Sequence, residues 1–472
     1  MDKYKDNWLP HLKNALPNEE PGGTLSVYAI ALEAWRRGIT LKLRQLYYKK
    51  EKKIRIGFTL SYNGKTHKFN ASRGDKVTKE AIKISNDKNL TRKYLNKAQV
   101  PTPLGENFHI DMNDKEIMDI VESIGYPVVL KPSEGLKGEL VIVNIKDELE
   151  FKSSLEHIRR AEKYKDIIVE NFVQGEDCRI YVIEDNVIGA VSRIPANILG
   201  DGQLSIRKLI NQKNNIRNNN PNNYNRPIVI DRELTNLIES EGYNLDSVLN
   251  KGTRLFLKKT SNISSGGDAI DLTDELTSEM KKIAIDAAKA IPGLKQCAVD
   301  MLIDKNNNNV SVIEVNSKPL IGLHLFPETG KSRDIPKAII DYYFPETKGL
   351  DRNLSFYFDF DGATKLLRNG SIKEITIKKV PDYQEVGKKF NITGEVETAY
   401  TKWISRKARS LQLNGFIKKM KDSTVNIVVV GQDERINEFK TILRKHVSGK
   451  AKIDNIIEEE WDKPVKMGFY LL

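Results

Sequence analysis

The sequence predicts an α+β protein built from several domains. Its 472 residues exceed the size of one ordinary domain, and a content of 39% hydrophobic and 30% charged residues is typical of a chain with real cores. Strand and helix patterns alternate throughout, as in the order β-loop-β-α-β-β over 127–193 and a strand hairpin over 297–319. These observations place the chain in the α+β class.

Composition narrows the classes of function. The two cysteines, Cys178 and Cys297, lack a metal-like spacing and cannot form a disulfide framework, which favours a reducing cytoplasm. The N-terminus lacks an apolar signal core, and no apolar run is long enough to span a bilayer. The net charge of +12 suits an anionic partner such as a nucleotide, an acidic peptide or a nucleic acid. The lysines are dispersed, however, so a solvated surface accounts for most of them.

The elements suggest four regions. Residues 1–78 form a small α/β lobe, with a helix from 23 that stops at Gly38, a strand over 40–48 and a hairpin at Asn63-Gly64. Residues 79–347 form the largest domain, in which 127–193 is a compact lid.

Within that domain, we expect a helix after a cap at Asn86 or Asp87. Another is expected over 114–124, beginning after Asn113 and ending at Gly125. The Asn-rich stretch 211–225 is interpreted as a mobile loop. Residues 348–387 are expected to form β-hairpins, with a turn at Asn369-Gly370.

The last region, 388–472, has the order β-α-β-β-α-β. Strands are expected over 390–396, 414–419 and 425–430, with helices near 399–412 and 434–446. This order is that of a ferredoxin-like sandwich.

The hairpin 297–319 carries acids where a purely structural strand would carry Val or Ile. If its loop is 305–309, Asp304 pairs with Val310, and counting back sets Asp300 opposite Glu314, with Asn316 on the same face. Two facing carboxylates repel, so a cation is expected between them. Two carboxylates and an amide oxygen suit Mg²⁺, with Mn²⁺ as an alternative. An edge hairpin with solvated acids is an equal alternative.

Several other residues could bind phosphate. Lys131 ends a strand beside a loop in which Gly135 and Gly138 would let backbone N–H groups approach an anion, although an ordinary hairpin turn also fits. Lys88 begins a helix, where a cation opposes the helix dipole, so either a bound phosphate or simple exposure to solvent would account for it. The turn Ser-Ser-Gly266-Gly267 could wrap a phosphate with its amides, or be a flexible loop.

Strand ends supply the remaining candidates. Glu170 and the backbone of Val173 could bind an adenine edge, and Asp177 the hydroxyls of a ribose; strand-end polarity alone would also explain them. The guanidinium groups of Arg193 and Arg254 suit a developing acyl phosphate, with ordinary ion pairs as the alternative.

Taken together, these motifs resemble the ATP-grasp ligases, and among them cyanophycin synthetases and the ATP-grasp part of bifunctional glutathione synthetases. The resemblance covers about 79–347, with a weaker preceding lobe. The matching strings are 87–91, 131–138, 170–179, 193–202, 262–267, Asp300 and 314–316. One departure is Leu320, where the family often has Gly after the proline.

The resemblance implies an ATP-grasp fold, with a small N-terminal α/β lobe, a lid and a C-terminal sheet subdomain. It implies that Lys88, Lys131 and the glycine loop bind the phosphates of ATP, that Glu170, Val173 and Asp177 bind the nucleoside, and that Asp300, Glu314 and Asn316 hold Mg²⁺. The implied reaction phosphorylates a carboxylate of an amino acid or peptide, and an amine then displaces phosphate.

A nucleotide-gated binding protein without turnover, or a nucleic-acid binder with a basic surface, is the alternative. The absence of a Lys/Arg stripe with interleaved aromatics argues against the nucleic-acid version. The sequence leaves the oligomeric state open, a homo-oligomer included.

The region from 388 resembles acylphosphatase, in the strings 394–402 and 414–419. Thr398 replaces a glycine of the phosphate loop, and Lys402 and Lys419 stand where that family has its catalytic arginine and asparagine. Lysine cannot form the bidentate fork of arginine. We therefore expect a domain that keeps the fold without the hydrolysis, and that docks a carrier peptide, a protein partner or a second subunit.

Overall fold

The computed structural model describes residues 8–16, 23–48, 52–133, 140–304, 307, 309–421, 424–444 and 451–472. The chain divides into two compact units. Unit 1 comprises 1–9, 19–26 and 69–342, and unit 2 comprises 10–18, 27–68 and 343–472. In the described part of the chain, no helix has the length and apolar character needed to cross a membrane.

The regular elements are numbered in chain order. The helices are α1 (Gly23–Arg36), α2 (Lys79–Asn86), α3 (Lys88–Lys97), α4 (Asp114–Ile124), α5 (Glu148–Arg160), α6 (Ile206–Asn218), α7 (Arg232–Ser240), α8 (Ser278–Ala290), α9 (Gly322–Leu325), α10 (Ile335–Tyr343), α11 (Phe360–Arg368), α12 (Thr398–Ser410) and α13 (Asp433–Arg444). The strands are β1 (Thr40–Tyr48), β2 (Lys53–Tyr62), β3 (Lys65–Asn70), β4 (Arg73–Gly74), β5 (Gly105–His109), β6 (Val128–Pro132), β7 (Ile142–Ile145), β8 (Asp166–Asn171), β9 (Glu176–Ile183), β10 (Asn186–Ile194), β11 (Asn197–Leu199), β12 (Arg254–Phe256), β13 (Asp268–Asp271), β14 (Gln296–Asp304), β15 (Asn309–Asn316), β16 (Phe356–Tyr357), β17 (Glu374–Thr376), β18 (Val386–Val396), β19 (Asn414–Lys419), β20 (Val425–Gly431), β21 (Ala451–Glu460), β22 (Val465–Lys466) and β23 (Phe469–Leu471).

The first sheet of unit 1 has the order β5-β8-β6-β7, and α4 and α5 share its core. Helix α4 begins and ends as its sequence predicts, since the Asn113 side chain accepts a hydrogen bond from Lys115 N and Gly125 follows with φ 82°. The expected lid over 127–193 is only partly correct, because its strands belong to two sheets. β5 joins β6, β7 and β8 in the first sheet, whereas β9 pairs with β14 and β10 with β13 in a different sheet.

That second sheet has the order β13-β10-β9-β14-β15, and its pairs are antiparallel. Helices α2, α3 and α8 bury one of its faces in the main core of unit 1, which includes Ile180, Val182 and Val299. The residues between these buried positions point to the opposite face, because successive side chains of a strand alternate. The second face therefore receives the charged residues of β9, β10, β14 and β15.

The Asn-rich stretch 211–225 is ordered, and its interpretation as a mobile loop is wrong. Helix α6 runs through Asn218, and the turns after it bury Asn222 and Asn223. The amide of Asn220 donates to the carbonyl oxygen of Phe326 at 2.9 Å, and Asn223 donates to Glu328. Asparagine side chains satisfy turn backbones in this way, so the biased composition marks a hydrogen-bonded turn.

The first sheet of unit 2 contains β17, β1, β2 and β3 in that order. Lys42 of β1 pairs with Thr376 of β17, so the segment expected to be a linker completes the sheet of the N-terminal lobe. The hairpins expected within 348–387 are also incorrect in part. Asp359 caps helix α11, which buries Phe360 and Leu367, and Asn369-Gly370 ends that helix. An Asn-Gly pair serves a helix C-terminus as readily as a hairpin, because both need positive φ.

The second sheet of unit 2 has the order β21-β18-β20-β19-β23, with α12 and α13 sharing its core. Its first four strands follow the chain as β-α-β-β-α-β, which confirms the ferredoxin-like sandwich. A fifth strand, β23, pairs in parallel with β19.

Candidate functional site

The hairpin of β14 and β15 brings the two predicted carboxylates face to face. Asp304 pairs with Asn309, one residue earlier than expected from a loop of 305–309. A bulge on β15 between the partners of Met301 and Asp300 compensates for this shift, so Asp300 still pairs with Glu314. The predicted pairing is therefore correct, although the register at the turn is not.

Asp300 also lies opposite Arg179 on the neighbouring strand β9. The Nε and Nη2 atoms of Arg179 donate to the two carboxylate oxygens of Asp300, both at 2.7 Å. The Asp300 side chain is 3% exposed and that of Arg179 is 16% exposed. Glu314, Asp300 and Arg179 thus form one row across three strands, with a bidentate ion pair that little water reaches.

Arg193 of β10 extends the cluster. Its Nε donates to Asp177 at 3.0 Å, and its Nη2 contacts Asp177 and, at 3.2 Å, Asp300. Burial raises the pKa of Asp177 more than the Arg193 charge lowers it. Asn316 donates from its amide to Asp300 at 3.4 Å, so the third expected metal ligand lies on the same face.

The two carboxylates differ in their partners. Burial raises the pKa of Asp300, but Arg179 and Arg193 lower it by more, so the group stays ionised. Burial and the neighbouring charge of Asp300 raise the pKa of Glu314. Among the described residues, the Glu314 carboxylate has no hydrogen bond or ion pair. A half-buried carboxylate without a partner is stabilised by a bound cation, and the donor set of two carboxylates and one amide fits a hard divalent ion.

Two lysines face the same region. Lys131 of β6 binds Glu170 of β8 at 2.5 Å, and both side chains are largely buried. Lys88 donates to the carbonyl oxygen of Pro132 at 3.2 Å. The preceding residue, Asp87, caps α3 and is one of the two residues predicted for that cap. Burial, and then the charge of Lys131, lowers the pKa of Lys88 against the opposite influence of Glu314 and Glu170. The two ammonium groups therefore repel each other, and a bound anion such as a phosphate would relieve this repulsion.

The turn that contains Gly266 and Gly267 is closed on itself. The N–H groups of Ser264, Ser265 and Gly267 donate to Asn262, and that of Gly266 donates to Ile263. Gly266 has φ 115°, and a Cβ there would lie 2.6 Å from Ile228. The turn therefore requires glycine for its backbone and packing. Its phosphate role stays a prediction, and it would require these internal bonds to exchange.

The remaining predicted residues are placed differently. Arg254 is exposed at the start of β12, and among the described residues its guanidinium has no hydrogen bond or ion pair, so its role at the acyl phosphate stays a prediction. Val173 follows β8, and its role in binding adenine stays a prediction. Gly135 and Gly138 lie outside the described residues.

Sequence reasoning missed Arg179. The residue lies two positions after Asp177, and its strand parity places it on the charged face. This parity could have identified Arg179 as a member of the charged face. The sequence does not show, however, that β9 is the second neighbour of β14.

Two parts of the chain match known protein families. Residues 85–204 and 258–342 match the RimK-like ATP-grasp domain family, and residues 388–470 match the acylphosphatase family. A bifunctional glutathione synthetase structure from Pasteurella multocida superposes with a TM-score of 0.52 at 26% identity, covering 68% of this chain and 43% of that one. The chain contains an ATP-grasp domain.

The curated relatives are named as a synthetase and a biosynthetic protein. A cyanophycin synthetase of Synechocystis sp. is 31% identical over 271 residues, which are 56% of this chain and 31% of the relative. The glutathione biosynthesis bifunctional protein GshAB of Desulfotalea psychrophila is 33% identical over 267 residues, 54% of this chain and 33% of the relative. The chain thus spans about a third of the length of the curated relatives it matches. The ATP-grasp fold with a C-terminal acylphosphatase-type sandwich is confirmed, and the ATP-grasp domain is the part that carries the charged cluster.

Proposed function

We propose that the chain is an ATP- and Mg²⁺-dependent ligase that joins the carboxylate of an amino acid or peptide to an amine. The observation that carries this proposal is the Asp300–Glu314 pair, a buried and a half-buried carboxylate that face each other on adjacent strands of an ATP-grasp domain. A protein that only bound a partner would gain nothing from holding like charges together out of water. The names of the relatives support the same class of reaction.

The proposed metal ligands are Asp300, Glu314 and Asn316. A divalent ion there would neutralise charge on the phosphates of ATP and on the phosphoryl group during transfer. Asp300 is held by Arg179 at 2.7 Å, which fixes the direction of its carboxylate. Glu314 has the raised pKa that a cation would lower.

The proposed nucleotide contacts come from the other elements. Lys88 and Lys131, together with Gly135, Gly138, Gly266 and Gly267, would bind the phosphates. Lys131 would exchange its present partner Glu170 for an oxygen of the nucleotide. Glu170 and Val173 would then meet the adenine, and Asp177 the ribose. The latter role competes with Arg193, to which Asp177 is bound.

Arg193 and Arg254 are the proposed residues for the acyl phosphate. Arg193 is fixed by Asp177 and lies 3.2 Å from Asp300, so its guanidinium is already beside the proposed metal site. A fixed cation stabilises charge on a transferring phosphoryl group without reorganisation. Arg254 is exposed and would have to close onto the substrate. The amine then attacks the acyl carbon, phosphate leaves, and no protein nucleophile is needed.

The decisive experiment uses the full chain with ATP, Mg²⁺ and pools of amino acids and short peptides. ADP and phosphate are measured, products are found by mass spectrometry, and hydroxylamine traps an acyl phosphate as hydroxamate. We expect ADP only when a carboxylate is present, together with a hydroxamate. AMP and pyrophosphate would mean adenylation instead. Tight ATP binding without turnover in any pool would favour a nucleotide-gated binding protein.

We propose a reducing compartment for the protein, because Cys297 is a free thiol in the core, and burial raises its pKa to about 12.

A further inference from the structure

Unit 2 contains a cavity lined by its own residues. It has a volume of about 480 Å³ and is bounded by α11, β17, the end of α12, β19 and the turn before β23. This volume lies within the roughly 300–1,000 Å³ of sites that enclose small ligands. Most of the wall is apolar, formed by Phe358, Leu366, Ile375, Ile377, Met467 and Phe469.

The charges on the wall are unbalanced in favour of cations. Arg409 and Lys378 line the cavity, and in the described part of the chain neither forms a salt bridge. The one acid on the wall, Asp359, lies 3.3 Å from Lys466 and also caps α11. Arg409 donates from Nε and Nη2 to the carbonyl oxygen of Phe469, at 3.2 and 2.8 Å, which holds its guanidinium at the wall. An apolar ligand with a carboxylate would complement this wall.

Arg409 also ends a cationic stripe on α12. Lys402, Arg406 and Arg409 are spaced by four and three residues, so they lie on one face of the helix, and all three are exposed. The helix carries four cations and no acid. The stripe is about 10 Å long at 1.5 Å per residue, the length of about three residues of an extended peptide.

We propose that the cavity and this stripe together bind an acidic peptide. An apolar side chain enters the cavity, and the carboxylates of the following residues lie along Arg409, Arg406 and Lys402. Exposed cations attract a carboxylate chain, while the apolar cavity selects for a side chain that a nucleic acid lacks. The inference concerns unit 2 and does not depend on turnover in unit 1.

The test measures binding without ATP, so it is independent of the ligase proposal. The full chain is titrated against fluorescein-labelled Leu-Phe-Asp-Glu-Asp, followed by anisotropy. Two matched peptides replace the acids by lysines or the Leu-Phe pair by Ser-Ser. We expect the first peptide to bind at least tenfold more tightly than either control, and its binding to weaken between 50 and 300 mM salt as charges are screened.

Variants test whether the peptide binds at the cavity and the stripe. Leu366→Asp, at the exposed rim of the cavity, should weaken binding at least fivefold, and Lys402→Gln with Arg406→Gln about three- to tenfold. Lys452→Gln is the matched control, an exposed cation on β21 at the opposite edge of the same sheet. Both test variants change exposed residues, and thermal unfolding checks that they fold. Equal binding of the lysine peptide, no binding at millimolar protein, preference for oligothymidylate, or equal effects of all variants would overturn the proposal.

Discussion

The charged sheet of unit 1 and the sheet of the C-terminal sandwich differ in where their ion pairs lie. In unit 1, Asp300 is 3% exposed and its partner Arg179 is 16% exposed. In the sandwich, Lys389 pairs across strands with Glu459 at 2.9 Å, but Glu459 is 49% exposed. An exposed pair contributes about 0–1 kcal/mol, whereas a buried charge costs several kcal/mol unless it is matched.

Burial therefore distinguishes ion pairs that serve the surface from those that suit a functional site. The edge strand β21 carries its acids in water, where they discourage edge-to-edge association at little cost. The Asp300 cluster gains no such advantage, so its retention in the interior favours a role in binding or catalysis. Lys402 and Lys419, which the resemblance to acylphosphatase places at that family's catalytic positions, are both exposed. Four predictions test this contrast.

The largest effect is expected at Glu314. Glu314→Gln removes a proposed ligand and should lower Mg²⁺-dependent ATP turnover by about 10²–10³-fold. The thermal midpoint should stay equal or rise, since the variant relieves repulsion from Asp300. Turnover is measured as ADP release. The control is Asp304→Asn at the turn of the same hairpin, which should keep its turnover. Normal turnover in Glu314→Gln would remove the residue from the site.

The next effect concerns Arg179. Arg179→Met leaves Asp300 with Arg193 as its remaining guanidinium partner and should lower the free energy of unfolding by about 3 kcal/mol. Adding Asp300→Asn should recover part of this loss, because the buried charge is then gone. Urea denaturation measures both. Lys331→Met, which breaks an exposed pair with Asp274, should cost less than about 0.5 kcal/mol. If Arg179→Met cost as little as Lys331→Met, the contrast between buried and exposed pairs would be refuted.

A smaller effect is expected from Glu328, which Asn223 and the N–H of Ala269 contact. Burial, and then the charge of Asp268, raises its pKa to about 7. A raised carboxyl pKa means that the folded state binds the proton more tightly. Glu328 therefore contributes stability below its ordinary pKa of 4.5, and this contribution is lost as pH rises through about 7. Glu328→Gln should flatten the fall in unfolding free energy between pH 5 and 8. Parallel curves for the two proteins would contradict the shift.

The smallest effect is expected from the sandwich. A fragment of residues 384–472, which keeps its own core, should fold and leave benzoyl phosphate at the buffer rate of hydrolysis. The reason is that Lys402 and Lys419 replace the arginine fork and the amide. The triple change Thr398→Gly, Lys402→Arg and Lys419→Asn serves as the positive arm and should raise the rate. Hydrolysis by the unchanged fragment would show the domain to be active.

Local features could be predicted from the sequence alone. Asp87 and Asn113 cap their helices as predicted, since a cap depends on a side chain and the backbone two or three residues away. The facing of Asp300 and Glu314 also followed from strand parity, although a bulge had to correct the turn. The order of elements in the sandwich was sufficient for its fold class.

Tertiary structure decided what depends on residues far apart in the chain. The choice of β9 as the neighbour of β14 brought Arg179 to Asp300 across 121 positions, which no local pattern specifies. The same holds for β17, which lies in the region expected to be a linker but pairs with β1. Strand pairing is set by which apolar faces can be buried together, and that is a property of the whole core rather than of any one segment.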